Sequence, residues 1–134
     1  MLDQLTLDHR MTVGELPTAI ALGSVVVDIR SQRQRTREGP LYGALAIGSD
    51  VVVNRLDPAS PSCLALAREH TGGWILVCSS GDCADVIAAG LRGRGLGKVM
   101  SLVGGFRALC AASSLTIAAR TPHFERSVAM VLCG

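Results

Sequence analysis

The sequence predicts an α/β domain in which a parallel, doubly wound sheet carries helices on both faces. Three observations predict it. Short apolar runs recur without polar alternation, as in strands covered on both sides. Helix-like segments separate these runs, which implies β–α–β crossovers. Glycine, proline and aspartate punctuate the junctions.

The elements follow in order. A helical segment over 14–22 precedes the β-branched run Val25, Val26, Val27, Asp28, Ile29. The stretch 30–38 is charged, and its Arg33, Arg35 and Arg37 suit a solvated helix face. A weaker apolar run covers 44–47. Asp57 and Pro58, with Pro61, form a loop that opens a helix over 61–69 at its first turn. Gly72 and Gly73 lead into the run 74–78, a helix is expected over 83–92, and Gly93, Gly95 and Gly97 end it. Gly95 is placed as the left-handed stop. The last strand is expected over 98–103 and the last helix over 106–112. Residues 1–112 thus form the domain, and 113–134 read as a tail with helix-like content after Pro122.

Composition narrows the class. With 134 residues, 49% hydrophobic and 18% charged, the chain is one globular domain and not a disordered segment. Its aromatic residues are Tyr42, Trp74, Phe106 and Phe124, so the core must be aliphatic. Mean hydropathy is +0.38, yet the longest charge-free runs (16–27, 70–81 and 108–119) are each twelve residues. A membrane-spanning helix needs about 18. The start of the sequence, with Asp3 and Asp8, does not read as a signal peptide. A net charge of +2 is too mild to suggest nucleic acid. The cysteines (Cys63, Cys78, Cys83, Cys110 and Cys133) fit reduced thiols in a cytoplasmic protein. His9, His70 and His123 are scattered, so no metal site is expected, and no cofactor.

The chemistry concentrates at Cys78-Ser79-Ser80-Gly81-Asp82-Cys83-Ala84. A cysteine ends a buried strand, a turn with glycine follows, and a helix begins. Ligands of open parallel sheets bind at the carboxyl ends of the strands. A thiol placed there faces turn N–H groups and a positive helix end, and both favour the thiolate. The bland alternative is an inert cysteine buried at a strand end. Ser79 and Ser80 can donate to a bound anion or simply serve the turn. Asp82 fits a helix N-cap, with Asp85 as a partial capping box. Cys63, Cys110 and Cys133 fit core positions. Cys83 fits either a small buried residue packing the helix on the sheet or a thiol that resolves an oxidised Cys78.

Four motifs in order carry a resemblance: Asp28-Ile29-Arg30, the Gly43-Ala44 turn, the loop headed by Cys78, and Gly104-Gly105-Phe106. Together they resemble the rhodanese family of single-domain sulfurtransferases over roughly residues 24–112. The segment 54–61 is similar to the longer connection of some bacterial members. The resemblance implies a rhodanese-like fold and a persulfide mechanism without metal or cofactor. Cys78 would be the catalytic nucleophile, taking sulfur from a donor such as thiosulfate and passing it to a thiol or cyanide acceptor. The loop Ser79, Ser80, Gly81, Asp82 and Cys83 would bind the substrate through its N–H groups. Arg30 would join them or anchor the loop region.

The sequence departs from the family at Tyr42, where a proline is usual, and at Leu109, where an aromatic is usual. Asp82 and Cys83 occupy loop positions where many active members have a basic or hydroxyl residue, and Asp82 adds negative charge beside an anion site. That leaves a non-catalytic rhodanese-like binding or redox-sensing module as the alternative. A cysteine phosphatase or arsenate reductase would need an arginine six positions after the cysteine, where Ala84 stands.

Overall fold

The period-two geometry of its strands decides how this chain packs. In the computed structural model, which describes residues 9–70 and 72–112, five strands form one sheet in the order β1-β5-β4-β2-β3. They are β1 (Arg10–Met11), β2 (Val25–Asp28), β3 (Leu45–Ala46), β4 (Trp74–Val77) and β5 (Val99–Leu102). Every neighbouring pair is parallel. The helices are α1 (Leu16–Ala21), after a 3-10 turn at Val13–Glu15, then α2 (Gln32–Glu38), α3 (Val52–Leu56), α4 (Ala65–Glu69), α5 (Asp82–Gly93) and α6 (Gly105–Ala111).

Successive side chains of a strand point to opposite faces. Val25, Val27, Trp74, Leu76, Cys78 and Val99 therefore face one way, into a core closed by Val52 and Leu56 of α3, Ala67 of α4, and Ala84, Ala88 and Leu91 of α5. Val26, Ile75, Val77 and Leu102 face the other way, against Leu16 and Ile20 of α1 and Phe106 and Leu109 of α6. Burial on both sides explains why β2 and β4 read as continuous apolar runs. The aliphatic core and the helices on both faces are as the sequence predicts.

Several boundaries differ. β1 is a fifth strand that the sequence did not announce, because two residues carry no periodic signal. α2 is the solvated helix that Arg33, Arg35 and Arg37 suggest, whereas α3 is a helix where the sequence showed only a connection. α2 buries none of its residues, and α3 is five residues long and buries Val52 and Leu56. The helix expected from Pro61 begins only at Ala65, and Pro61 lies in a turn. Gly95 does have positive φ (100°), and the Leu96 N–H bonds back to the Leu91 carbonyl as in a glycine-stopped helix. Cys110 is exposed on α6 and is not a core residue; Cys63 is half-buried in a loop. Residues 1–8, Thr71 and the 113–134 tail, with Cys133 and His123, lie outside the described residues. Among those described, no helix is long and apolar enough to cross a membrane.

Candidate active site

The site lies where the winding of the sheet reverses. From β2 the chain moves outward to β3, then crosses back to β4 on the other side of β2. Asp28 pairs with Val77 across β2 and β4, so Arg30 and Cys78 follow from adjacent strand ends. This is the switch point at which open α/β sheets bind ligands.

Cys78 is buried, and its side chain points to the face that carries α5. The loop wraps the sulfur. Cys78 Sγ accepts the Gly81 N–H at 3.0 Å and the Ala84 N–H at 3.4 Å. The expectation was that residues 79–83 supply the N–H groups. Gly81 does, and the second donor is Ala84, one residue further on. Gly81 can turn the chain so sharply because its φ is +100°.

A second turn props this loop from below. The Phe106 N–H donates to the Cys78 carbonyl at 2.7 Å, and the Arg107 N–H to the Ser79 carbonyl at 3.1 Å. Two amides at the start of α6 thereby hold the carbonyl side of the loop, leaving its N–H groups for the sulfur. The approach requires glycine at 105: a Cβ there would stand 2.2 Å from the Cys78 carbonyl oxygen and 2.8 Å from the Gly81 nitrogen.

Arg30 sits behind the loop. Its side chain is 0% exposed, with Nη2 on Asp28 Oδ2 at 2.8 Å, Nε on Asp28 Oδ1 at 2.9 Å and Nη1 on Glu38 Oε1 at 3.3 Å. The guanidinium also lies 3.8 Å from the centre of the Phe106 ring. Burial alone would lower its basicity. The hydrogen bonds and charge of Asp28, then those of Glu38, outweigh that and hold it more firmly protonated than a free arginine. The enclosed guanidinium is no surface residue; it lies behind the loop, where an anchor of the loop region would stand.

Glu38 is the residue that sequence reasoning missed. Its carboxylate accepts the Ser79 hydroxyl at 2.9 and 3.0 Å while also meeting Arg30. A chain of contacts thus runs from Asp28 through Arg30 and Glu38 to the residue after Cys78. Ser79 is already engaged in this chain. Ser80 is exposed. The signal for Glu38 was its position at the end of the arginine-rich stretch, which pointed only to solvent.

Asp82 and Cys83 occupy the first turn of α5, and both are exposed. Gly81, not Asp82, is the N-cap, and no side chain caps the helix. Asp85 has a different task from the expected capping box. It pairs with Arg10 at 2.9 Å and accepts the Ser101 hydroxyl, tying α5 to β1 and β5. Cys83 is not the buried packing residue that was one reading of it. Partial burial, and then the charge of Cys78, push its thiol up.

The backbone matches known structures over about three quarters of the chain or more. The human single-domain sulfurtransferase superposes with a TM-score of 0.61 at 19% identity, covering 76% of this chain and 95% of that one. A rhodanese homologue of Thermus thermophilus is 25% identical with a TM-score of 0.54, covering 74% and 98%. A Rhodopseudomonas palustris protein of unknown function, put forward as a possible tyrosine phosphatase, is 24% identical with a TM-score of 0.71, covering 83% and 86%. No protein-family model matches the sequence, and no curated protein does. The all-parallel sheet with helices on both faces, and these superpositions, define the class: the described residues have a rhodanese fold.

Proposed function

We propose that this chain is a sulfurtransferase that carries a sulfane sulfur on Cys78. The observation that carries the reading is the buried sulfur receiving two backbone N–H groups at the switch point of the sheet. Such fixed donors stabilise charge as a thiolate or persulfide and need no reorganisation during the reaction. The Cys78 thiolate attacks the outer sulfur of a donor such as thiosulfate. The donor S–S bond breaks, sulfite leaves with the electron pair, and Cys78–S–S⁻ remains. A thiol or cyanide acceptor then attacks the outer sulfur and regenerates the thiolate. All the chemistry is nucleophilic catalysis by an activated cysteine.

Likeness to a possible tyrosine phosphatase raises a second reading, and Ala84 weighs against it. A phosphatase with this loop needs an arginine at that position. Ala84 is 0% exposed, within the core between α5 and the sheet. This chain has no arginine at the place where that loop would hold a phosphate.

Turnover with thiosulfate and other sulfane donors, with cyanide or a thiol as acceptor, tests the proposal. Wild type should turn over at least one donor, and Cys78→Ser none. Equal turnover by the two proteins would sink it.

A further inference from the structure

Cys83 is the second thiol of the loop that encloses the Cys78 sulfur. The N–H groups on that sulfur belong to Gly81 and Ala84, so the chain bearing Cys83 closes around it. The Ala84 nitrogen, 3.4 Å from Cys78 Sγ, is bonded to the carbonyl carbon of Cys83. Standard bond lengths then put the Cys83 Cα within about 6 Å of the Cys78 sulfur. A disulfide from there needs the Cys83 side chain to turn toward the sulfur and the first helical turn to shift until the two Cα atoms stand about 4.4–6.8 Å apart. Exposure of Cys83 leaves its side chain free to rotate. Cys63, beside the Pro58 carbonyl, and Cys110, on α6, lie outside this loop.

We propose that Cys83 is a resolving thiol, which attacks the inner sulfur of the Cys78 persulfide and expels the outer sulfur as sulfide. This rests on the sulfurtransferase reading. The step balances without an added oxidant: Cys78–S–SH and Cys83–SH give the Cys78–Cys83 disulfide and H₂S. Cys83 gives its proton to solvent and attacks as the thiolate formed at higher pH. The bond between the two persulfide sulfurs breaks, its electron pair leaves with the outer sulfur, and the departing sulfide takes a proton from solvent. A dithiol reductant returns both cysteines to thiols. With an acceptor present, sulfur is transferred intact. Without one, the donor and a dithiol are converted to sulfide, a second activity of the same site.

The test loads wild type, Cys83→Ser and Cys83→Ala with one equivalent of a sulfane donor and no acceptor. Intact mass, non-reducing peptide mapping and released sulfide are followed together. Wild type should gain about 32 Da only transiently, settle about 2 Da below its reduced mass, and release one sulfide per chain. Mapping should show a Cys78–Cys83 linked peptide. In both variants the adduct should last at least about tenfold longer, with no linked peptide. Adducts that decay at the same rate in all three proteins, or a sulfur that moves to Cys83 without sulfide release, would overturn the resolving role and leave Cys78 as a sulfur carrier. No adduct in the two variants at any time would overturn the sulfur-carrier reading, and the resolving thiol with it.

Discussion

The Arg30 guanidinium, enclosed between Asp28, Glu38 and Phe106, makes the residues behind the loop more sensitive than those on its rim. Replacing Arg30 with methionine keeps the volume but leaves the buried Asp28 carboxylate without its partner. Loss of one member of a buried pair costs about 3–5 kcal/mol. Arg30→Met should therefore lose that much stability in urea unfolding, and its soluble fraction should lose activity as the Ser79 anchor loosens. Stability within about 1 kcal/mol of wild type would show that the pair is not an anchor. On the rim, Asp82 is exposed and caps nothing, so its charge is its main effect. At about 6 Å in water-like surroundings a unit charge is worth on the order of 0.7 kcal/mol, about threefold in rate per unit of donor charge. Asp82→Asn should raise kcat/KM for thiosulfate by about that factor or more, with the gain fading at high salt. An unchanged kcat/KM at low salt would mean that the carboxylate does not reach the donor. The raised Cys83 thiol gives a third expectation at this scale. A thiol pushed up stays protonated at neutral pH, so alkylation of Cys83 should climb about tenfold per pH unit into the alkaline range. A profile that levels off near neutrality would contradict it.

At the scale of elements, the turn into α6 and the loop after β4 act as one unit. Gly105→Ala would drive a Cβ into the Cys78 carbonyl and the Gly81 nitrogen, both of them backbone. Strain and overpacking together should cost about 2–4 kcal/mol and displace the N–H groups from the sulfur. Gly23→Ala is the control. Its φ is also positive (103°), but nothing lies within 4 Å of the added Cβ. It should cost about 1–2 kcal/mol of backbone strain and leave activity per folded molecule intact. Thermal melts and turnover of the two variants separate collision from strain; equal activity in both would show that the α6 turn does not hold the site. These elements also mark what sequence could reveal. β2, β4 and α5 were legible because long apolar patterns and a glycine stop identify them. The Cys78 loop was marked by a glycine-containing turn between a buried strand and a helix, a pattern that an inert cysteine also fits, and it stood out only with the other three motifs beside it. β1 was too short to carry a period, and α3, at five residues, was too short as well; α2 showed only as a solvated arginine face. The bond from Glu38 to Ser79 joins residues 41 apart in the chain, and no local pattern encodes such a contact. Asp82 looked like a cap because aspartate favours that position, but the left-handed Gly81 took it, since the loop must turn there to reach the sulfur.

Across the whole molecule, the two cores do different work around one sheet. α5 packs on the face to which Cys78 points, so its N-terminal turn meets the sulfur. α6 packs on the opposite face, and its first amides pass over the strand ends to hold the carbonyls of the same loop. The loop around the sulfur is thus held from both layers at the point where the winding reverses. Solved structures between 13% and 25% identical share this backbone, which shows that the layering tolerates wide change in side chains. In the proposed sulfurtransferase reading the chemistry depends on what this chain places in the loop, and above all on Cys78. The most direct measurement is peptide-level mass spectrometry of the protein after brief exposure to a sulfane donor, alongside Cys78→Ser. A reductant-reversible gain of about 32 Da on the Cys78 peptide, absent from the serine variant, is the expected result. A modification found on another cysteine, or retained in Cys78→Ser, would contradict it.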